Sequence, residues 1–247
     1  MYKVQTKFTV NSNEMLEKRI TNYWNNRSVE FSRVRRKELL GENGKAWLNL
    51  INAHLPAKKL KILDVGTGAG FFAIMLANQG HEVTAIDMSK KMLTEAKKNM
   101  LEYGCRVDFK YMNAQQINFN DDTFDVVISR NLTWTLPDVA QAYSEWTRVL
   151  KSDGILMNFD SDYGDKNFCN EQTCARANVA DDMLNECNAI KNALSISTQQ
   201  RPSWDIEFLS GLGLEVSFDE DIAPLVQRDS ALDYDSVPLF AIYANAY

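Results

Sequence analysis

Ile62-Leu63-Asp64-Val65-Gly66-Thr67-Gly68-Ala69-Gly70 is the stretch on which the fold turns. Residues 60–65 are a short stretch with four apolar residues in six, which reads as a buried strand. Three glycines follow at alternate positions, and from Phe71 the apolar residues run on as a helix. A strand entering a helix through a glycine turn opens a βαβ unit, whose ligands bind beyond the carboxyl end of the strand. Glycine at 66 and 68 permits a tight turn and close backbone approach to a ligand. Working outward, residues 81–86 read as a second strand that ends on Asp87. An acid at that point, about 20 positions after the loop, accepts from the two hydroxyls of a ribose.

The rhythm continues in both directions. Ser89 stands at an N-cap position before a helix carrying Met92, Ala96 and Met100. Residues 107–112 and 124–128 read as strands, then Val139, Tyr143, Trp146 and Leu150 mark one helix face, then residues 154–159 form another strand. After Asp160 the alternation breaks into a polar, acidic segment over 160–200. A helix over 204–212 and strands over 214–218 and 238–247 close the chain. Residues 13–55 are helical in pattern, with Trp47, Leu50, Ile51 and His54 on one face. The expected fold is α/β: a Rossmann-like, seven-stranded, mostly parallel sheet with helices on both faces. Four segments are expected: an N-terminal helical cover (1–59), a cofactor-binding core (60–160), a substrate-side insertion (161–203) and a C-terminal helix with the last two strands (204–247).

Composition narrows the function classes. The 247 residues are 45% hydrophobic and 24% charged, an ordinary globular balance. The longest apolar run is 71–77, far short of a membrane span, and the first fifteen residues lack the apolar core of a secretory signal. Cys105, Cys169, Cys174 and Cys187 form no CxxC pair and no metal-ligand spacing, so no metal is expected and a reducing cytoplasm is the expected location. Net charge is −6, but residues 1–61 hold 13 basic and 5 acidic side chains while the remainder holds 14 and 28. The densest basic run, Arg33-Val34-Arg35-Arg36-Lys37, reads either as a solvated helix face or as a footprint for an anion. The acidic remainder disfavours nucleic acid and favours a small-molecule acceptor. Nothing in the pattern sets an oligomeric state.

The identity of the ligand turns on two positions. A dinucleotide fingerprint requires glycine at 71, where this chain has Phe71, and Asp64 would repel a diphosphate. A carboxylate there suits the ammonium of an amino-acid tail. With these residues the chain resembles class I S-adenosylmethionine-dependent methyltransferases, in the branch that includes ubiquinone and menaquinone biosynthesis. The likeness spans roughly 60–160 and extends loosely over 204–247.

That resemblance implies S-adenosyl-L-methionine as cofactor. It places Asp64, Gly66, Thr67, Gly68 and Gly70 around the methionine part, Asp87 on the ribose, Met88 against the adenine and Asn113-Ala114 at the adenine edge. Ser129 and Arg130 would line the methionine side. Tyr23 and Arg27, with Trp24 and Phe31, would close over the cofactor from the N-terminal cover, or else pack on the sheet edge. Gly70 could instead serve helix packing alone, and Arg130 could be a surface ion-pair partner. Candidate catalytic or substrate-side residues are Asp160 as base or anchor, Asn131, and Trp134 as an aromatic wall; their plain alternatives are a solvated loop acid and a core residue. His81 reads as structural. The absence of an Asn/Asp-Pro-Pro-aromatic motif after the fourth strand disfavours base-amine methylation. Competing readings are an RNA methyltransferase, a catalytically silent cofactor-binding protein and a nucleotide-dependent oxidoreductase.

Overall fold

A computed structural model describes residues 5–169 and 179–247, with side chains from residue 13 onward. The chain runs α1 (Gln5–Leu40), α2 (Glu42–Asn52), β1 (Lys61–Val65), α3 (Phe71–Asn78), β2 (Glu82–Asp87), α4 (Lys90–Glu102) and β3 (Asp108–Tyr111). It continues through β4 (Phe124–Arg130), α5 (Val139–Val149), β5 (Leu150–Ser161), α6 (Asp181–Ala193), α7 (Ser203–Gly211), β6 (Glu215–Asp219), α8 (Ala223–Val226) and β7 (Leu239–Asn245). Short 3₁₀ turns occupy Thr133–Thr135 and Ser195–Thr198.

The seven strands lie in the order β3-β2-β1-β4-β5-β7-β6. Strands β1 to β5 are parallel, and β7 is antiparallel to both β5 and β6. Chain order therefore reverses at β1, which lies between β2 and β4. The crevice beyond its carboxyl end is where an open α/β sheet binds ligands. Period-two alternation decides what β1 presents there. Leu63 and Val65 enter the core on the α5 and α7 side, and Ile62 enters the opposite core with α2 and α3. Asp64, in step with Ile62, thus meets the start of α3.

The basic N-terminal region forms one long helix, α1, that crosses the mouth of the crevice and docks on α4. Asn25 accepts from the Ser89 hydroxyl (2.8 Å) and Lys91 N–H (3.2 Å), and Ser32 accepts from Asn99 (3.1 Å). Ser89 caps α4 as predicted, accepting from Met92 N–H at 3.1 Å. Both histidines are structural. His81 Nδ1 accepts from Leu60 N–H at 3.2 Å, and His54 stacks on Tyr243 with centroids 3.6 Å apart.

Two expectations need refining. Within the expected insertion the described residues include a well-formed helix, α6, whereas sequence periodicity there was weak; residues 170–178, with Cys174, lie outside the described set. Asp160 belongs to β5 and is fully buried, so it is not a loop acid. β5 runs two residues past the last apolar position because Asp160 and Ser161 pair with Phe240 and Leu239 of β7.

Candidate active site

The glycine loop builds a cradle at the end of β1. Gly66 and Gly68 adopt φ +69° and +54°, which a side-chain-bearing residue takes only with strain. A Cβ at Gly66 would strike Leu132, and one at Gly68 would press on Phe31 at 3.2 Å, so the loop lies close beneath α1 and the β4 loop. Asp64 sits under this loop and is 2% exposed. Its Oδ2 accepts from the Thr67 hydroxyl (2.6 Å) and from Ala73 N–H (3.1 Å) in the first turn of α3. Burial pushes its pKa up to about 7, against those two hydrogen bonds. Asp87 accepts from Gly68 N–H (2.9 Å) and Ser89 N–H (2.7 Å), and burial raises it to about 6. Each Asp87 oxygen thus keeps a lone pair for a ligand.

Three compartments with shared wall residues lie at this end of the sheet. The first, about 760 Å³, is lined by Gly66, Gly68, Asp87, Met88, Met92, Met112 and Ala114, with Glu17, Ile20, Thr21, Trp24 and Phe31 of α1 facing them. The second, about 370 Å³, lies over Asp64 and Thr67 and is bounded by Arg35 and Arg130. The third, about 670 Å³, opens between α1 and the loops after β4 and β5. Asn131 and Phe31 border all three. Asn131 is one of two described non-glycine residues with positive φ (+52°), and its Oδ1 is buried without a hydrogen-bond partner.

At the second compartment Glu38, 0% exposed, joins two arginines: Arg130 at 2.7 Å and Arg35 at 2.5 Å. Burial opposes ionisation of Glu38, but the two guanidiniums outweigh it and hold its carboxyl below the ordinary range. Arg130 also lies over the rings of Trp47 (4.5 Å) and Phe71 (4.8 Å). It is therefore a buried ion-pair member at the cavity wall, and the surface alternative does not hold.

Residues 63–158 match the family described as Methyltransferase domain. The chain is 32% identical over 117 residues to phosphatidylethanolamine N-methyltransferase of Cereibacter sphaeroides, covering 45% of this chain and 57% of that one. It is 34% identical over 95 residues to ubiquinone biosynthesis O-methyltransferase of Photobacterium profundum, covering 38% and 40%. The core of this chain is a class I methyltransferase domain. The chain spans about half the length of the curated relatives it matches. A SAM dependent methyltransferase from Aquifex aeolicus shares the fold, with TM-score 0.60 over 90% of this chain and 98% of that one at 18% identity.

Within this methyltransferase domain the residues singled out in the sequence separate into two groups. Asp64, Gly66, Thr67, Gly68, Asp87, Met88, Ala114, Arg130 and Asn131 line the first two compartments. Four others do not. A Cβ at Gly70 would meet Ala96 and Ile74, so Gly70 serves the packing of α3 on α4. The Ser129 hydroxyl donates to Val65 carbonyl (3.0 Å) and ties β4 to β1. The Asn113 amide donates to Glu17 (3.1 Å) and accepts from Gln115 N–H (2.9 Å), so its carbonyl is already used, and Asn113 does not line the cavity. Gln115 takes its place on the wall and is itself held by Glu17 (2.7 Å).

Asp160 is the larger correction. Its carboxylate accepts from the Thr133 hydroxyl, Trp134 N–H (3.1 Å) and its neighbour Ser161 N–H (2.8 Å), with Arg201 at 3.7 Å. Arg201 in turn grips Asp205, which accepts from Tyr143. This buried network fixes the turn carrying Asn131 and Trp134, and none of its carboxylates reaches a compartment wall. Tyr23, Arg27 and Trp134 border the third compartment rather than the first. Sequence reasoning missed Glu17, Ile20 and Thr21, although with Trp24 and Phe31 they follow helical spacing along α1.

Among the described residues no group of three or more His, Cys, Asp or Glu is arranged to hold a metal, and no helix is long and apolar enough to cross a membrane.

Proposed function

We propose that this chain transfers a methyl group from S-adenosylmethionine to a small-molecule acceptor. The observation that carries this reading is the charge pattern of the second compartment. Buried Asp64 has no cationic partner there, and beside it the Arg35–Glu38–Arg130 cluster has a net positive charge. An amino-acid zwitterion complements both: its ammonium with Asp64, its carboxylate with the arginines. A diphosphate would bring charge of the wrong sign against Asp64 and Asp87, which weighs against the nicotinamide reading. Asp87 would hold the ribose diol, and the methionine-rich wall of Met88, Met92 and Met112 would pack on a flat base.

When bound, S-adenosylmethionine supplies an electrophilic methyl carbon, which an acceptor lone pair takes as the carbon–sulfur bond electrons return to sulfur. What remains for the chain is to orient the acceptor and exclude water. α1 roofs the crevice, and the Asn131 carbonyl oxygen, where the compartments meet, is placed to accept from an O–H or N–H acceptor. Among the described residues the third compartment carries no histidine, and Asp235 is the carboxylate on its wall that could take a proton from an acceptor.

Nucleic acid as acceptor is a weaker reading. Three of the four cations at 33–37 are already in ion pairs: Arg33 with Glu30, Arg35 with Glu38 and Arg36 with Glu102. The exposed field left for phosphates is small. Among the described residues Cys105 and Cys169 are free thiols, which supports a reducing, cytoplasmic location.

Titration calorimetry with S-adenosylhomocysteine tests the reading. The unaltered chain should bind at micromolar or tighter Kd, and Asp64→Ala combined with Asp87→Ala should abolish binding. Unchanged binding by the double variant, or binding of NADH in its place, overturns it.

A further inference from the structure

The third compartment has its own chemistry. Five rings wall it: Tyr23, Trp24 and Phe31 from α1, Trp134 after β4 and Tyr163 after β5. They lock edge-to-face, Trp24 against Tyr23, Phe31 and Trp134 at centroid distances of 5.2–6.4 Å, and Trp134 against Tyr163 at 5.0 Å. Rings held in this way form flat, rigid faces that favour a planar guest.

The charged groups on the same walls set its sign. Arg27 and Arg35 both face the compartment, and the Nε of each is buried without a hydrogen-bond partner. Arg27 makes no ion pair among the described residues; Glu30, one turn away on α1, is engaged by Arg33 at 2.5 Å. Arg35 already covers one face of Phe31, 5.1 Å from its centroid. The acid on this wall, Asp235, accepts from the Tyr163 hydroxyl at 3.3 Å. A cationic guest would enter against two guanidiniums, with Arg130 close behind. An anion would satisfy donors that folding has left buried and unmatched.

We propose that this compartment selects a planar aromatic acceptor bearing a carboxylate, with Arg27 as the residue that sets this specificity. The inference rests on the proposed methyl-transfer function and names the acceptor class of that same site. Arg27 borders the third compartment and neither of the other two, so it acts on the acceptor and not on the cofactor.

The test uses the full chain saturated with S-adenosylhomocysteine and three probes of one shape: 2-naphthoate, 2-naphthamide and 2-naphthylmethylamine. Calorimetry should show naphthoate binding at least tenfold more tightly than the amide, and the amine most weakly. Arg27→Met should erase the preference for naphthoate over the amide, Arg27→Lys should retain part of it, and both should bind S-adenosylhomocysteine within about twofold of the unaltered chain. Equal binding of acid and amide, preference for the amine, or a preference that survives Arg27→Met overturns the proposal. Failure to bind S-adenosylhomocysteine at all would instead refute the underlying function.

Discussion

Replacing Asp64 by asparagine should make the ligand-free protein more stable while crippling its binding site. Folding moves the half-ionisation point of this carboxyl from 3.8 to about 7. The native state therefore holds a proton that the unfolded chain releases between those values, and stability falls as pH rises through that window. Above pH 7 the cost levels off at about 4 kcal/mol, at roughly 1.4 kcal/mol per pH unit. An asparagine of the same shape removes the charge, and its carbonyl can still accept from Thr67 and Ala73. The value of about 7 already includes those two hydrogen bonds, so the net gain at pH 8 is about 4 kcal/mol. Near pH 4, where the native aspartate is itself protonated, the gain should vanish. Urea unfolding of both proteins at pH 4, 6 and 8 measures this directly. Calorimetry on the same samples should show S-adenosylhomocysteine affinity in the unaltered chain rising about tenfold from pH 6 to pH 8, as Asp64 ionises. In Asp64→Asn it should be about 10–100-fold weaker and nearly flat with pH. A variant less stable than its parent at pH 8, or one that binds as tightly as its parent, would refute the argument that this acid is kept for a cation.

Two further substitutions probe the frame around the site. Gly68→Ala forces a side chain into φ +54° and against Phe31, so it should cost about 1–2 kcal/mol in thermal unfolding and weaken S-adenosylhomocysteine at least tenfold. Arg201→Met leaves Asp160 and Asp205 buried without their cation and should destabilise the chain by about 3–5 kcal/mol by urea unfolding; Arg201→Met combined with Asp205→Leu should recover part of that loss.

The features legible in the sequence share a physical origin. Strand β1, the glycine loop and Asp87 could be read because backbone geometry there permits few residue types, and the required types stand at fixed offsets. Ser129 and Asn113 misled for the opposite reason. Each is a small polar residue near a strand end, and such side chains bond whichever backbone or amide group lies nearest, here Val65 carbonyl and Gln115 N–H. Asp160 was the hardest to read. Its neighbours in space, Thr133 and Arg201, lie 27 and 41 positions away, and an acid following an apolar strand looks alike whether it faces solvent or an arginine. The α1 wall went half seen because its inward stripe mixes Glu17 and Thr21 with Ile20, Trp24 and Phe31, which blurs apolar periodicity.

Trp24 and Phe31 face the first and third compartments at once, each ring a partition with a chamber on either side. A partition cannot be moved for one tenant alone. On the proposed function, trimming either ring to admit a bulkier acceptor also strips a surface from the chamber assigned to the donor, so broadening the acceptor range by that route would weaken the donor's hold. Divergence toward new acceptors is cheapest at Tyr23, Val34 and Tyr163, which border the third chamber and not the first.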